Sequence, residues 1–505
     1  MVVSPDNLQK PSLSTIRRRF FVHFAPSASP AGGLAPPGPA DGRSVNPAAP
    51  GRVVHTFRPD TAADVRATLD EAEAAAREWA ATPPLRRATV LTRIAERLED
   101  RRDELAVLIT GEEGKPLGAA RGEVGKSAEQ FRLAAQLAYL VEGTTYPSES
   151  PGTFAYTLRE PLGVLAAITP WNFPLSLAAR KIAPALAAGN AVVFKPSPVT
   201  AGTGALLVEI AVEAGLPTSV LPILQGQDAE AMAALLGDDR LRGISFTGSD
   251  ATGALIRAQA NSQARLQLEL GGHNAAVVCA DADLAKAAAD IAVGAFGLTG
   301  QACTSTDRVL VASAVAAEFT ELLAAKVRAL RVGPGDADGV TTGPVATAAQ
   351  FERLTALKES AVAAGAKTVA EADLLDGRDP DGYWVAPTLF ADVPADHALV
   401  TGEVFGPFCS VVGVHDLDEA LAIVNASAHG LVTGVHTADL AVAHRFAAAA
   451  RCGIVKVNAP TTGNGVAPPF GGWKASSGGA FPEGGRQALD FVTETKTVYL
   501  THGAN

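Results

Sequence analysis

Apolar residues in the first part of the chain recur at the spacing of helices. Thr61 and Asp64 match a capping pair, and the pattern after them predicts a helix over 62–80. A second apolar stripe with helical spacing follows: Val90, Leu91, Ile94, Leu98, Leu105 and Leu108. It ends before three residues that terminate helices: Gly111, Gly114 and Pro116. We interpret both stripes as packing faces.

After Pro161 the pattern changes to short apolar runs separated by single helical stretches. The runs predict strands over 162–169, 191–194, 220–224, 243–247 and 266–270. The stretches between and after them predict helices over 175–188, 200–214, 228–236 and 250–261. Strands joined through single helices imply right-handed crossovers and a parallel sheet. We therefore expect an α/β fold with a doubly wound, Rossmann-like, dinucleotide-binding layer.

A glycine turn follows one of these predicted strands, although the chain has no Gly-x-Gly-x-x-Gly fingerprint. Gly248 and Ser249 come directly after the predicted strand, and Gly253 comes about one helical turn later. Backbone N–H groups at the N-terminus of a helix are suited to binding a pyrophosphate. An ordinary strand-to-helix turn has the same sequence pattern, so both interpretations stay open.

A second α/β unit begins at residue 271. Strands are predicted over 275–278 and 308–311, helices over 284–296 and 315–330, and the unit continues through 421–425 and 453–458. Alternating residues over 144–160 predict a strand hairpin that leaves the compact body. The domain assignment is 44–142 and 162–270 for the dinucleotide-binding domain, 271–483 for the catalytic domain, and 143–161 and 484–505 for an arm.

Residues 1–43 differ from the rest of the chain. A short basic and aromatic stretch is followed by Pro, Ala, Gly and Ser, which predicts a disordered N-terminal extension. The basic, acid-poor start is also compatible with a targeting peptide, and a misplaced start codon is a third explanation.

Composition narrows the functional classes. The 505 residues exceed a single ordinary core, so two or three domains are expected. The formal net charge of −11, without a basic stripe, argues against nucleic acid and anionic membranes as partners. The four cysteines lack paired spacing, so we predict neither a metal site nor a disulfide framework, and a cytoplasmic location. Pro and Gly interrupt every long apolar run, so no membrane span is predicted.

The candidate nucleophile is Cys303, which lies between Gly300 and a run of hydroxyl residues. A small, polar, partly open setting favours a reactive thiolate. An inert buried cysteine is the alternative for this residue taken alone. Three further motifs favour catalysis: Asn172 in Pro-Trp-Asn-Phe-Pro, Glu269 in Leu-Glu-Leu-Gly-Gly, and Glu403 in Glu-Val-Phe-Gly-Pro.

These four motifs, in this order, resemble the aldehyde dehydrogenase superfamily, and the resemblance runs from about Ser44 to Leu500. It implies a small-molecule aldehyde substrate and NAD or NADP as cofactor. Cys303 would attack the aldehyde, and the Asn172 amide with the Cys303 N–H would stabilise the oxyanion. Glu269 would activate water against the thioester if burial raises its pKa. Taken singly, Asn172 fits a turn and Glu269 a surface carboxylate.

The glutamate also separates two branches of the superfamily. In the branch that transfers the acyl group to coenzyme A, this residue is typically missing, so Glu269 favours hydrolysis to a free acid. A non-catalytic binding or scaffold relative is one rival, and a thiol esterase without a cofactor is another. The resemblance further implies that the hairpin and a strand over 491–500 pair subunits in a homodimer or homotetramer.

The resemblance also implies a set of cofactor-binding residues. Lys195 would donate to ribose hydroxyls, while Glu403 would hold the nicotinamide ribose and Phe405 would pack near the ring. The remaining members of the set are Thr169, Trp171, Ser197, Gly248, Ser249, Gly253 and Gly271. Many NAD-selective members carry a glutamate where this chain has Pro198, and that glutamate would repel a 2′-phosphate. We therefore expect NAD, with NADP tolerated.

Arg180 is the residue that indicates the class of substrate. Succinate semialdehyde dehydrogenases, which the chain resembles here, use an arginine eight residues after Asn172 to bind the substrate carboxylate. Their second arginine is replaced by Gly297, and several motifs look more like 2-oxoglutarate semialdehyde (2,5-dioxopentanoate) dehydrogenases. We expect a carboxylated semialdehyde, with 2,5-dioxopentanoate first, succinate semialdehyde next and an uncharged aldehyde third. An interdomain or surface salt bridge is the alternative role for Arg180.

Overall fold

The structure, a computed structural model, describes residues 42–478 and 481–502. Its first element is an antiparallel hairpin of β1 (Gly42–Asn46) and β2 (Ala49–Phe57). The predicted disordered extension lies outside the described residues as far as residue 41. The last two residues of that prediction are wrong, because Gly42 and Arg43 pair with the end of β2.

Four helices follow the hairpin: α1 (Ala62–Ala81), α2 (Pro84–Asp100), α3 (Arg102–Glu113) and α4 (Leu117–Leu137). The predicted cap is confirmed, because the Thr61 side chain accepts the Asp64 N–H and the Asp64 carboxylate accepts the Thr61 N–H at 2.9 Å. The second apolar stripe is divided between α2 and α3 at Arg101, whose φ of −102° and ψ of 24° end α2.

Four parallel strands form the first central sheet: β5 (Val164–Ile168), β6 (Ala191–Lys195), β7 (Leu241–Thr247) and β8 (Arg265–Glu269). Their order across the sheet is β6-β5-β7-β8. The helices of this part are α5 (Ser176–Ala188), α6 (Ala201–Glu213), α7 (Ala229–Leu236) and α8 (Asp250–Gln259). The predicted parallel α/β layer is confirmed.

The predicted strand over 220–224 is wrong. Thr218–Val220 is a 3₁₀ turn, and only an isolated bridge joins Ile223 to Phe194 of β6. The Pro222 carbonyl accepts the Phe194 N–H and the Leu224 N–H donates to the Phe194 carbonyl, both at 2.8 Å, but Pro222 has no N–H with which to extend this ladder toward residue 220. The apolar run therefore lies beside the sheet without becoming a strand.

Seven strands form the second central sheet: β9 (Asn274–Val278), β10 (Thr306–Ala312), β11 (Lys367–Glu371), β12 (Thr388–Ala391), β13 (Phe408–Val414), β15 (Val432–His436) and β16 (Ile454–Val457). Their order across the sheet is β11-β12-β13-β10-β9-β15-β16. All neighbours are parallel except the edge pair β11 and β12.

The second sheet is accompanied by helices α9 (Leu284–Phe296), α10 (Ala316–Arg328), α11 (Ala348–Ala363), α12 (Ala398–Thr401), α13 (Leu417–Ala426) and α14 (Leu440–Ala449). The apolar run 421–425 lies within α13. A short helix, α15 (Ala488–Val492), precedes the last strand.

Alternate residues of each sheet pack on opposite faces. In β5, Val164 and Ala166 belong to one buried cluster, while Leu165 and Ala167 belong to another. Each central sheet is thus covered on both sides, as a doubly wound arrangement requires. No helix in the described part of the chain is long and apolar enough to cross a membrane.

A three-stranded antiparallel sheet contains β3 (Thr145–Tyr146), β4 (Thr153–Pro161) and β18 (Thr493–Thr501). The predicted hairpin over 144–160 is present, although β3 has only two residues. β18 pairs with β4 along its whole length, from Thr493 opposite Pro161 to Thr501 opposite Thr153. A two-stranded ladder joins β14 (His429–Gly430) to β17 (Trp473–Lys474).

Candidate active site

Cys303 lies in a turn between the 3₁₀ segment Gly297–Gly300 and β10. Leu298, Thr299 and Gly300 have φ values of 54°, 57° and 67°, in the left-handed region that L side chains rarely adopt. Two consecutive non-glycine residues in this region are strained, so the surrounding structure must hold them.

Contacts from neighbouring segments hold this strained turn. The Thr299 hydroxyl donates to the Gly343 carbonyl at 3.1 Å, and the Gln301 side-chain oxygen accepts the Ala346 N–H at 3.0 Å. A Cβ on Gly300 would lie 2.0 Å from the Gly406 carbonyl oxygen, so only glycine allows the two backbones to approach this closely.

The segment that follows Glu269 holds the far side of the turn. The Asn274 amide donates to the carbonyls of Cys303 and Ser305 at 2.8 and 2.7 Å. A Cβ on Gly272 would lie 2.3 Å from the Cys303 carbonyl oxygen. The Leu-Glu-Leu-Gly-Gly motif therefore contains a candidate base, and its last glycine also contacts the backbone of Cys303.

The Cys303 side chain is half-buried. Burial, followed by the Glu403 carboxylate, raises the pKa of the Cys303 thiol to about 12, while the Arg180 guanidinium acts in the opposite direction. The thiol is therefore protonated at neutral pH, and its attack on a carbonyl carbon requires a nearby base.

Asn172 is buried in the turn before α5. Its Nδ2 donates to the Gln301 carbonyl at 2.9 Å, which ties the turn to the cysteine segment. An amide nitrogen has two N–H donors, so one remains for an oxygen bound beside Cys303. The Lys115 ammonium donates to the main-chain carbonyl of Asn172 at 2.6 Å, so this hydrogen bond does not occupy the Asn172 side chain.

Glu269 ends β8 and is buried. Neither of its carboxyl oxygens has a well-aligned hydrogen-bond partner in the described part of the chain, although the nearby Gly472 N–H interacts with the carboxyl and opposes the rise in its pKa. Burial, followed by repulsion from the Glu483 carboxylate, raises the pKa of Glu269 well above its ordinary value. A raised pKa makes the ionised carboxylate a stronger proton acceptor, which suits a general base.

Three charged side chains lie together beside Glu269. Lys181 donates to Glu483, and the Arg180 guanidinium nitrogen lies 3.9 Å from the other Glu483 oxygen. Arg180 also lies over the Phe470 ring at 4.4 Å from its centroid. The close ion pair belongs to Lys181, so the carboxylate of Glu483 does not saturate the five donors of Arg180.

The turn after β7 lies at the end of the first sheet. The Gly248 N–H donates to the Glu269 carbonyl at 3.1 Å, and the Ser249 hydroxyl caps α8 by accepting the Thr252 N–H at 3.3 Å. A Cβ on Gly253 would lie 2.6 Å from Leu270, so this glycine lets α8 pack against the strand end. The N–H groups of the first turn of a helix lack intrahelical partners, so the start of α8 is suited to an anion.

Lys195 and Thr169 lie at the carboxyl ends of β6 and β5. The Thr169 N–H donates to the Lys195 carbonyl at 3.1 Å, and the buried Thr169 hydroxyl has no partner in the described ranges. Burial lowers the pKa of Lys195 to about 8, and its ammonium donates to the Pro196 carbonyl at 3.0 Å. The Ser197 hydroxyl is engaged with the Val199 N–H at 3.3 Å, so it caps a turn.

The predicted nicotinamide-side residues also lie together. Glu403 accepts the Gly272 N–H at 2.9 Å, and a Cβ on Gly271 would lie 2.8 Å from the Glu403 carboxyl. The rings of Trp171 and Phe405 meet edge to face, with centroids 5.6 Å apart. Burial raises the pKa of Glu403 to about 7.

These features fit a dinucleotide. A buried lysine with N–H donors to spare and a hydroxyl without a hydrogen-bond partner suit ribose oxygens. A helix N-terminus suits a pyrophosphate, and a carboxyl with adjacent aromatic rings suits the nicotinamide riboside. The residues that would hold NAD or NADP are Thr169, Trp171, Lys195, Gly248, Ser249, Gly253, Gly271, Glu403 and Phe405.

Comparison with known proteins agrees with the resemblance. The aldehyde dehydrogenase family model matches residues 38–498. The chain belongs to the aldehyde dehydrogenase family. The α/β fold expected from the sequence is confirmed with it.

Similar proteins of this aldehyde dehydrogenase include two curated enzymes. The 2,5-dioxopentanoate dehydrogenase of Saccharolobus solfataricus is 40% identical over 458 residues, which are 90% of this chain and 95% of that protein. The alpha-ketoglutarate semialdehyde dehydrogenase of Haloferax volcanii is 39% identical over 456 residues, covering 90% and 94%. A crystal structure of an NAD-dependent aldehyde dehydrogenase from Sinorhizobium meliloti has a TM-score of 0.88 at 32% identity, covering 92% of each chain.

Several residues of this aldehyde dehydrogenase site were not predicted. Lys115, Asn274, Lys181 and Glu483 all contact predicted site residues or their neighbours. Asn274 follows the Leu-Glu-Leu-Gly-Gly motif closely, so proximity to that motif was an available signal. Lys181 is adjacent to Arg180, and two consecutive cations in an otherwise apolar helix were a second signal.

Proposed function

We propose that this aldehyde dehydrogenase oxidises a carboxylated semialdehyde, with 2,5-dioxopentanoate as the first candidate, to the corresponding acid with NAD or NADP. The observation that carries the substrate class is Arg180, a buried guanidinium whose charge acts on both Cys303 and Glu269. The names of the two curated relatives agree with this class.

The first chemical step forms a bond between the Cys303 sulfur and the aldehyde carbon. The thiol proton leaves toward Glu269, because the thiol is protonated and the carboxylate has a raised pKa. The carbonyl oxygen becomes an oxyanion beside the free N–H of the Asn172 amide and the Cys303 N–H. When bound, the nicotinamide ring supplies the hydride-accepting chemistry that the side chains of this chain lack.

The second step releases the acid. The acyl group is then a thioester on Cys303. Glu269 releases the thiol proton to solvent and is ionised again, and it then takes a proton from the water that attacks the thioester carbonyl carbon. The carbon–sulfur bond breaks and the thiolate leaves. Glu269 suits this role because it is buried at the end of β8 and its pKa is raised well above the ordinary value.

The carboxylate end of the substrate is assigned to Arg180. Its long contact of 3.9 Å with Glu483 is consistent in part with the salt-bridge alternative, but Lys181 is the closer partner of that carboxylate. A guanidinium with free donors, buried beside the nucleophile, binds a carboxylate through charge-assisted hydrogen bonds.

The deciding measurement is the ratio of kcat/KM for 2,5-dioxopentanoate to that for pentanal, an uncharged aldehyde of equal chain length. We expect a ratio above about 100, which corresponds to the upper end of the roughly 1.5–3 kcal/mol that a hydrogen bond to a charged group contributes. Arg180→Met is expected to reduce the ratio toward one. A wild-type ratio near one would discard the substrate assignment, and a preference for succinate semialdehyde would select the second candidate.

We also propose a homo-oligomer located in the cytoplasm, with the NAD(P)-binding, catalytic and arm segments divided as predicted from the sequence. The arm sheet supports the oligomer, because Phe154, Leu158, Tyr499 and Leu500 expose apolar side chains on β4 and β18. Light scattering of wild type and a Tyr499→Asp, Leu500→Asp variant tests it. A smaller species in the variant is expected, and a monomeric wild type would overturn it.

A further inference from the structure

Asp307 is an extra residue near the start of β10. Between Thr306 and Arg308, β10 advances by two residues while the paired strand β9 advances by one. Such a β-bulge interrupts the ladder and redirects the side chain of the extra residue. The Asp307 side chain is buried, and its Oδ2 accepts the main-chain N–H of Asn274, the first residue of β9, at 3.1 Å. The carboxyl thus supplies an acceptor where the ladder is interrupted.

The other carboxyl oxygen of Asp307 reaches the segment that contains Glu403 and Phe405. Its Oδ1 accepts the N–H of Val404, which lies between these two residues, at 3.4 Å. Burial, followed by the Glu403 carboxyl, raises the pKa of Asp307 well above its ordinary value, while the N–H groups of Asn274 and Val404 oppose the rise. The two carboxyls are therefore close enough to repel each other.

The backbone beside Val404 is strained. Phe405 has a φ of 46°, in the left-handed region, which is rare for an aromatic residue and must be held by its surroundings. From α11, Arg353 donates to the Val404 carbonyl and Gln350 donates to the Phe405 carbonyl. Both main-chain polar groups of Val404 are thus bound by side chains, the N–H by a carboxyl of β10 and the carbonyl by a guanidinium of α11.

Asn274 connects Asp307 to the nucleophile. Its side-chain amide donates to the carbonyls of Cys303 and Ser305, while its main-chain N–H donates to the carboxyl of β10. The Cys303 turn and the segment around Val404 are therefore joined through one buried carboxyl. Oxidation requires the carbon bound to the Cys303 sulfur to lie close to the nicotinamide ring, and a misplacement of about 1 Å lowers the rate of such a step by roughly a hundredfold.

We propose that Asp307 is a positioning residue, which fixes the nucleophile turn and the nicotinamide-side segment relative to each other. One of its oxygens serves each segment, so loss of the carboxyl should release both. Among the described residues, the Arg353 guanidinium donates to the Val404 carbonyl and to Gln350, neither of which belongs to the nucleophile turn. Arg353 is therefore a comparison residue that acts on the nicotinamide side alone.

Two measurements that need no turnover test this role. The first is the Kd of NADH, from a fluorescence titration. The second is the pH profile of alkylation of Cys303 by iodoacetamide without cofactor, followed by mass spectrometry of the Cys303 peptide. Burial is the largest cause of the raised pKa of this thiol. A released turn exposes the thiol, so its alkylation profile should move to lower pH.

Asp307→Ala removes both hydrogen bonds of the carboxyl. We expect the Kd of NADH to rise by about tenfold, the equivalent of one hydrogen bond. Alkylation of Cys303 at neutral pH should become about tenfold faster, because a larger fraction of the thiol is ionised. Turnover should fall all the same, with kcat for pentanal lower by about tenfold to a hundredfold. A thiol that reacts faster in an enzyme that turns over more slowly indicates lost positioning.

Two further variants separate the two links. Arg353→Met should raise the Kd of NADH by a similar factor and leave the alkylation profile of Cys303 unchanged. Asp307→Asn keeps one acceptor oxygen, because an amide nitrogen cannot accept an N–H. We expect this oxygen to retain the shorter hydrogen bond, from Asn274, so the variant should resemble Arg353→Met.

The matched control is Asp281→Ala. Asp281 follows the opposite end of β9 and accepts the main-chain N–H groups of Ala438 and Asp439 at 3.0 and 2.9 Å. Its loss should lower the thermal stability through the same kind of hydrogen bond. The Kd of NADH and the alkylation profile of Cys303 should stay at their wild-type values.

A wild-type Kd and a wild-type alkylation profile in Asp307→Ala would overturn the positioning role. If that variant does not fold, the same result in Asp307→Asn overturns it. Equal changes in Asp281→Ala would also overturn it, since both effects would then come from lost stability. A wild-type preference ratio near one for 2,5-dioxopentanoate over pentanal overturns the proposed function but leaves these measurements unchanged, so the two failures are distinguishable.

Discussion

The Lys115 ammonium donates to the main-chain carbonyl of Asn172 at 2.6 Å, and both residues are buried. The same ammonium pairs with Glu123 of α4 at 2.6 Å. Glu123 in turn accepts the N–H groups of Leu175 and Ser176 at 2.9 and 3.1 Å. Two opposite charges from the helical layer therefore hold both sides of the turn that presents the Asn172 amide to Cys303.

Removing the lysine charge should displace this amide. Lys115→Met is expected to lower kcat by about tenfold to a hundredfold, since a misplacement near 1 Å has that effect on an oriented catalytic group. It should also lower the free energy of unfolding by about 3–5 kcal/mol, because Glu123 is left buried without its partner. Steady-state kinetics and urea unfolding measure the two effects.

A double variant separates positioning from folding. Lys115→Met with Glu123→Gln removes the buried Glu123 charge, and the glutamine oxygen still accepts the Leu175 and Ser176 N–H groups. Glu113, which lies 3.8 Å from the Lys115 ammonium, loses that cation but keeps its hydrogen bond from the main-chain N–H of residue 115. We expect stability to recover in part while kcat stays low, because the Asn172 carbonyl still lacks its donor. Full recovery of kcat in the double variant would show that Lys115 acts on stability only.

Of two glycines in the nucleophile turn, only Gly300 should be sensitive to replacement by alanine. Gly300 has a φ of 67° and no room for a Cβ, whereas a Cβ on Gly297 meets nothing within 4 Å and its φ is −56°. Gly300→Ala should cost about 1–2 kcal/mol from the left-handed backbone alone, with a further cost from the contact with Gly406. Its kcat should fall, because the Cys303 turn must shift.

Differential scanning calorimetry and kcat for both variants provide the check. Gly297→Ala is expected to match the wild type in both measurements. An equal loss in the two variants would mean that the turn tolerates no side chain anywhere, and that the backbone conformation of Gly300 is not the cause.

Much of the site could be predicted because its members lie in short motifs. Cys303, Glu269 and Asn172 each stand in a recognisable local string, and the structure brings their segments together through Gln301, Asn274 and the glycines around them. The Lys115 to Asn172 contact joins residues 57 positions apart, and no local pattern marks it. A charged residue in or beside a helical stretch usually indicates a solvated face, so the burial of Lys115 and Glu123 could not be predicted.

The fold shows the same division between local and tertiary information. The apolar runs of β5 to β8 predict strands correctly, because each of them pairs with at least one parallel neighbour over most or all of its length. The run over 220–224 has similar composition, yet Pro222 cannot donate to a ladder. The left-handed backbone at Leu298 and Thr299 has no sequence signal, because it is imposed by contacts with distant segments.

The pH dependence of hydrolysis should report on Glu483. Glu269 acts as a base only when ionised, so kcat rises as pH increases through its raised pKa. Burial is the largest cause of that raised pKa, and repulsion by Glu483 is the next. Glu483→Gln removes the repulsion and lowers the pKa of Glu269, so the acidic limb of the kcat profile should move to lower pH.

The control is Glu494→Gln, because Glu494 is an exposed residue of β18 that pairs with Arg242 at 3.2 Å. Its profile should overlay that of the wild type. A shift of the Glu483→Gln limb to higher pH would contradict the assignment, since it would mean that Glu483 stabilises the ionised form of Glu269.

The cofactor preference should depend on Pro198. This residue begins the 3₁₀ turn Pro198–Thr200, three positions after Lys195. Proline carries no charge to oppose a 2′-phosphate, so the wild type should accept both NAD and NADP. Pro198→Glu is expected to lower kcat/KM with NADP relative to NAD by about tenfold, corresponding to about 1.4 kcal/mol of repulsion. Pro198→Gln has nearly the same shape without the charge, so it should leave the ratio near the wild-type value. If Pro198→Gln and Pro198→Glu reduced kcat/KM with NADP equally, the effect would come from the turn geometry. Charge at this position would then not discriminate against the 2′-phosphate.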